Sequence, residues 1–258
     1  MITIKSQREI ELMRHAGHIV ALCHVAMKKA IKPGVSTYEL DQICERIIRE
    51  NGATPSTLGY MGYPASVCAS INEVVVHGIP DKKTILKDGD IITVDICAKY
   101  HGYHGDSAWT YEVGNCSESD KELMKITHDS LFAGLEKIKP GVHLSDISAA
   151  VGDYCIARGC GVVEDFTGHG IGSDLHEDPA VPNYGKPGHG PILREGMTFC
   201  VEPMITAGTK RVKVLKDGWT TITRDRKKAA HYEHEIAVTK DGYRILTVLD
   251  ESLINEEA

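Results

Sequence analysis

The chain has 258 residues, 42% apolar and 25% charged, with 36 acidic against 29 basic residues and a net charge of −7. That length can bury a core without disulfide staples, and an acidic balance argues against a nucleic-acid binder, which needs a basic face for phosphates. No run of 18 apolar residues is present, which excludes a transmembrane helix, and Lys5, Arg8, Glu9, Glu11 and Arg14 interrupt the stretch where a signal peptide needs its apolar segment; the expected compartment is the cytoplasm.

In chain order, Ser6-x-x-Glu9 is a capping box, and apolar residues at Ile10, Met13, Ala16, Val20, Cys23 and Met27 make one face of a first helix. Pro33-Gly34 ends it, and Ser36-x-x-Glu39 opens a second. Val74-Val75-Val76 and Ile91-Ile92-Thr93-Val94 read as strands. Ser119-x-x-Glu122 predicts the start of a third helix, and Leu144 to Arg158 predicts a fourth. The segment 179–191, rich in Pro and Gly, reads as a rigid loop. Met197 to Val201 predicts a strand, and Ile236–Val238 with Ile245–Val248 a closing hairpin turned at Asp241-Gly242. Helices segregated from mainly antiparallel strands give the fold class α+β. The eight cysteines include no C-x-x-C pair and read as small buried hydrophobes in a reducing compartment.

The chain repeats itself. Ile31-Lys32-Pro33-Gly34-Val35 recurs as Ile138-Lys139-Pro140-Gly141-Val142, and Leu86-Lys87-Asp88-Gly89 recurs in character as Leu193-Arg194-Glu195-Gly196. Both pairs lie 107 residues apart (31 and 138, 86 and 193). The expectation is one domain over 1–258, built from pseudo-symmetric halves of about 1–115 and 116–258 around a shared core.

The same offset joins two carboxylates that end apolar strands, Asp95 after Val94 and Glu202 after Val201. Pseudo-symmetry brings them to related places in that core, where an unpaired acid is costly. Asp106 follows Asp95 across His101-Gly102-Tyr103-His104-Gly105, a spacing that suits a short hairpin. His169 sits in Gly168-His169-Gly170-Ile171-Gly172, and the last strand begins Tyr232-Glu233-His234-Glu235. This oxygen-rich set is wrong for structural zinc and suits two divalent ions clamped by shared carboxylates. Period-two alternation puts Glu233 and Glu235 on one strand face, so spacing alone leaves both as ligand candidates.

His77-Gly78-Ile79-Pro80, Asp95 with Asp106, Gly168 to Gly172, His176-Glu177-x-Pro179, Gly196-Met197-Thr198-Phe199 with Glu202-Pro203, and Tyr232-Glu233-His234 stand in one order over nearly the whole chain. The set resembles type I methionine aminopeptidase. No helical insertion of the type II size interrupts the second half and no zinc-finger extension precedes the core, so the resemblance is to bacterial forms. It implies the duplicated pita-bread fold, a curved, mainly antiparallel sheet with helices outside. It implies two divalent metals on Asp95, Asp106, His169, Glu202 and Glu233, with Asp106 and Glu233 bridging; hard carboxylates with one imidazole accept Mn, Fe, Co, Ni or Zn. Glu202 would be the general base, His176 would steady the oxyanion, and His77 would assist the leaving amine. Tyr60, Tyr63, Cys68, Leu175, His77 and Trp219 would line the methionine pocket; Leu175 stands where Phe is common in bacterial relatives, and Thr57 where Cys is common. A monovalent cation near Asn72 and Val74 is also implied. The substrates would be nascent chains with a small residue after methionine, met in transient contact with the ribosome by a monomer that needs neither nucleic acid nor membrane. The rival enzyme is a proline-specific peptidase of the same fold, and the rival without activity is a binding protein that has lost the metals; every ligand position here is intact.

Overall fold

The computed structural model describes residues 1–249. Its first helix, α1 (Gln7–Ala30), starts where Glu9 N–H donates to Ser6 Oγ and Ser6 N–H donates back to the Glu9 carboxylate. Ser36 and Glu39 do the same for α2 (Thr37–Glu50). The third helix, α3 (Glu118–Leu135), is capped by Ser117 rather than Ser119, with Asp120 in the place expected for Glu122. Both Ser-x-x-acid frames exist in the segment. Lys228 binds Asp120 at 2.9 Å and favours the earlier frame, a contact that local sequence does not reveal. The fourth helix, α4 (Leu144–Ile156), lies where predicted.

The strands of the first half are β1 (Thr54–Pro55), β2 (Val67–Ile71), β3 (Val74–Val76), β4 (Ile91–Tyr100) and β5 (Tyr103–Glu112). Those of the second are β6 (Gly161–Val162), β7 (Gly168–Gly170), β8 (Glu177–Val181), β9 (Thr198–Val201), β10 (Met204–Thr206), β11 (Val212–Val214), β12 (Thr221–Thr223), β13 (Ala229–His231), β14 (His234–Val238) and β15 (Tyr243–Ile245). Among the described residues every ladder is antiparallel, and the strands divide into four sheets. One has the order β1-β4-β2 with β5 paired to β4, and the largest has the order β15-β14-β9-β7-β8. The closing hairpin is β14–β15, whose second strand ends at Ile245 instead of running to Val248. Pro179, read in sequence as loop, sits in β8. That strand lies at a sheet edge, where proline's missing N–H costs no ladder bond.

The repeat is visible in hydrogen bonds. Gly34 N–H donates to Leu86 O and Leu86 N–H to Val35 O, each at 2.8 Å; Gly141 donates to Leu193 O at 2.9 Å and Leu193 to Val142 O at 2.8 Å. Each half carries an apolar cluster under its helices: Val20, Met27, Leu40 and Ile48 with Val94 and Ile96 in one, and Leu131, Leu135, Ile147 and Val151 with Phe199 and Ile236 in the other. A smaller cluster of Met13, Cys97, Ile171, Leu175, Cys200 and Leu246 joins the halves.

The β4–β5 hairpin positions the site. Its turn is His101-Gly102, with φ of 46° and 91°, the left-handed pair that a two-residue hairpin turn requires. Beyond the turn, Gly105 lies against α1 so closely that a Cβ there would meet Gly17 N at 2.5 Å and Ala16 C at 2.6 Å. The helix therefore presses directly on the backbone that presents Asp106.

Candidate active site

The hairpin register sets Cys97 opposite Asp106 and Asp95 opposite Ala108, so the two aspartates approach from neighbouring strands. His169 comes from β7, Glu202 from the residue after β9, and Glu233 from the residue before β14. Glu233 is fixed by its backbone: its N–H donates to Ala108 O at 2.8 Å, and Ser107 Oγ donates to its carbonyl at 2.8 Å. His169 Nε2 stands 3.5 Å from Glu202 Oε1 and 3.7 Å from Asp106 Oδ2. Its Nδ1 lies 2.9 Å from Gly170 O. A carbonyl only accepts, so the proton is on Nδ1 and the Nε2 lone pair faces the acids, as in a metal-ligating histidine. One donor atom each from Asp106, His169, Cys200 and Glu233 lies within 4.8 Å of the others, and the same holds for Asp95, Cys97 and Asp106. The two groups share Asp106.

These acids are crowded together and largely withdrawn from water. Burial and the neighbouring Asp106 push Asp95 well above the ordinary carboxylate range, and burial with the nearby aspartates does the same to Glu202. Glu233 is raised by burial and by Asp106, Glu202 and Asp95. Asp106 is pushed up to about 6 by burial, against the hydrogen bonds that favour its charge. Burial lowers His169 to about 4 and His231 to about 3, so both are neutral. Glu233 Oε1 is buried without a hydrogen-bond partner. Orphaned acceptors, a neutral imidazole and crowded carboxylates are mutually costly unless a cation joins them. The donor set therefore fits divalent ions.

Glu235 also reaches this region, but its Oε2 accepts from Asp106 N–H at 3.0 Å and it does not line the cavity, whereas Glu233 does. Each acid keeps one buried oxygen without a partner, but only Glu233 of the two lines the cavity.

Above the acids opens a cavity of about 420 Å³. Tyr60, Tyr63, Cys68, His77, Leu175, His176 and Trp219 all line it, together with Thr57. Tyr63 anchors one wall: its hydroxyl donates to Gly78 O at 2.9 Å, and Trp219 packs edge-on at 5.1 Å between ring centroids. Trp219 is carried between β11 and β12. Tyr60 OH lies 2.8 Å from His176 Nδ1, and the His176 ring is 4.2 Å from that of His169. His77 adopts φ of 58° and is lowered to about 4, chiefly by burial. Leu175 and Thr57 are buried, and the Thr57 hydroxyl donates to Ser66 O at 2.7 Å.

Sequence reasoning missed Phe166, Met204 and Cys97 as lining residues, and His231 lines the cavity beside them. Phe166 packs edge-on against His77 at 5.5 Å. His231 is buried, with Nε2 3.7 Å from Glu202 Oε2. The one available signal was for Cys97, which shares a strand face with Asp95. Of the other flanking histidines, His104 pairs with Ser56 and His234 with Thr247, away from the acids.

Residues 11–240 match metallopeptidase family M24. Methionine aminopeptidase 1 of Bacillus subtilis is 55% identical over 247 residues, which is 96% of this chain and 99% of that one. The chain belongs to the methionine aminopeptidases of family M24. The Escherichia coli K12 methionine aminopeptidase is 45% identical over 98% of this chain and 96% of its own. The solved structure of the Rickettsia prowazekii enzyme superposes with a TM-score of 0.94 at 42% identity, covering 96% of this chain and all of the other. A prolidase from Pyrococcus furiosus, 23% identical, superposes at 0.77 over 96% of this chain and 66% of its own, which shows the shared fold alone. The chain accordingly has the pita-bread α+β fold. A divalent metal is its cofactor class, as family membership and the carboxylate–imidazole cluster both indicate.

Proposed function

We propose that this protein removes the N-terminal methionine from polypeptides whose second residue is small, by hydrolysis of the first peptide bond. The observation that carries this reading is an acid-and-imidazole nest at the floor of a cavity walled by Tyr60, Tyr63, Cys68, Leu175 and Trp219. Asp95, Asp106, His169, Glu202 and Glu233 would hold two divalent ions drawn from Mn, Fe, Co, Ni or Zn, with Asp106 and Glu233 shared between them. Bound there, such ions supply Lewis acidity and a water whose pKa falls towards ~7.

The side chains do the rest. Glu202 accepts the proton of the attacking water and passes it to the leaving amine, with His231 3.7 Å away limiting where its carboxylate can swing. Tyr60 OH donating to His176 Nδ1 leaves the His176 proton on Nε2, where it steadies the oxygen that becomes negative. His77, kept neutral by burial, hydrogen-bonds near the scissile nitrogen. The methionine side chain is flexible and polarizable and suits walls of aromatic rings and sulfur. A monovalent cation on backbone carbonyls near Asn72 and Val74 belongs to the same reading. So does the organisation of 1–258 as one catalytic domain of two halves, about 1–115 and 116–258. No helix among the described residues is long and apolar enough to cross a membrane; the proposed setting is the cytoplasm, on nascent chains met transiently at the ribosome by the monomer.

The test is release of free methionine from Met-Ala-Ser by metal-depleted protein before and after Mn or Co is added. Release only with metal is expected. Hydrolysis of Xaa-Pro peptides but not of this one would assign a proline-specific peptidase instead, and inactivity with every divalent metal would leave a binding protein.

A further inference from the structure

Cys97 has a place in this site that its burial does not explain. It follows Asp95 by two residues on β4, so the pleat turns both side chains to the same face. Across the hairpin it stands directly opposite Asp106. Its Sγ lies 2.9 Å from Asp106 Oδ1 and 3.8 Å from Asp95 Oδ1. The residue is 3% exposed, yet it lines the cavity. Ligand bonds of about 2.0 Å to oxygen and about 2.3 Å to sulfur, at angles between octahedral and tetrahedral, put two donors on one ion about 3.0–3.5 Å apart. The observed separations bracket that range. An independent sign that a cation belongs here is Glu233, which lines the same cavity with Oε1 buried and unpartnered.

We infer that Cys97 is a third donor, with Asp95 and Asp106, to one of the two divalent ions, and that it tilts this position towards borderline-soft ions such as Zn, Co and Fe(II) over Mn. The inference rests on the two-metal reading above. A thiolate is the softest donor the chain places in the cavity beside these carboxylates, and thiolate ligands favour such ions where carboxylates alone favour harder ones. As the metal–sulfur bond forms, the thiol proton leaves through the cavity to solvent, and the sulfur keeps its oxidation state. Cys200, whose Sγ belongs to the other donor group, does not line the cavity, which makes it the natural control.

The experiment is titration of metal-depleted protein with Co, followed by near-ultraviolet absorption and by calorimetry. A sulfur-to-cobalt charge-transfer band in the wild-type protein, lost in Cys97→Ser and kept in Cys200→Ser, is expected. Cys97→Ser should also bind Co at least about tenfold more weakly, the usual scale for altering a metal site's donor environment, with a smaller change for Mn. Two Co bound per chain with no such band would overturn the inference and leave the two-metal reading standing; the thiol would then only hydrogen-bond to Asp106. A band that survives Cys97→Ser would assign the sulfur to another cysteine and overturn it equally. No Co bound at all would overturn both. The wild-type spectrum decides whether sulfur binds even if the variants fold poorly.

Discussion

Replacing Asp106 with Asn should make the metal-free protein more stable and the metal-loaded protein less so. Asp106 is buried at the cavity floor, and its pKa is raised from 3.8 to about 6, chiefly by that burial. A raised carboxylate pKa means that the fold prefers the protonated form. The contribution is complete below pH 3.8 and is lost as pH rises through about 6. Each pH unit is worth about 1.4 kcal/mol, so by pH 7.5 the metal-free wild type carries a penalty of about 3 kcal/mol that Asn avoids. The neutral buried histidines act in the opposite sense, losing stability as pH falls below 6.5, but both proteins share them and the comparison removes them. The stability gap between variant and wild type should therefore widen by about 3 kcal/mol from pH 3 to pH 7.5. For a chain of this size that is roughly 6–12 °C in Tm. Saturating Co should reverse the order, because the variant lacks the shared anionic ligand. Thermal unfolding followed by circular dichroism, with EDTA or with Co at the two pH values, reads all four numbers. A gap that does not change with pH, or a metal-free variant less stable than wild type at pH 7.5, would refute the argument that this carboxylate is kept buried for a cation.

Glu202→Gln should keep much of its metal, measured by calorimetry, while methionine release from Met-Ala-Ser falls by about 10²–10⁴, the usual worth of a general base. Full activity would remove Glu202 from that role. His176→Ala should lower kcat by about 10²–10³ with metal stoichiometry unchanged, and loss of metal would instead make it a ligand. Gly105→Ala should cost about 1–3 kcal/mol in urea unfolding, because its Cβ would press on the backbone of Ala16 and Gly17 rather than on a yielding side chain. No loss of stability would mean that α1 can move away from the hairpin freely.

How much of this was legible in the sequence depended on range. The repeat at 31 and 138 reported the duplicated architecture because each copy has to make the same local bonds, Gly34 to Leu86 and Gly141 to Leu193. The approach of Asp95 and Asp106 was legible because a two-residue turn at His101-Gly102 leaves a hairpin little freedom of register. Spacing left Glu233 and Glu235 equal, and only the resemblance named Glu233. Alternation gives a face and says nothing of which acid on it lines the cavity; here one oxygen of Glu235 accepts from a backbone N–H of another strand and Glu233 is the one that faces the cavity. Phe166 was missed for a related reason: it enters from a loop whose place is set by packing across the halves, against Val75 and Val76. The cap of α3 slipped by two residues because the ion pair that favours Ser117 comes from Lys228, far along the chain.

Anomalous diffraction from crystals soaked in Co tests the account most directly. Two peaks should appear among Asp95, Asp106, His169, Glu202 and Glu233, with Asp106 and Glu233 touching both. Peaks elsewhere, or cobalt absent from this nest while bound in solution, would contradict it.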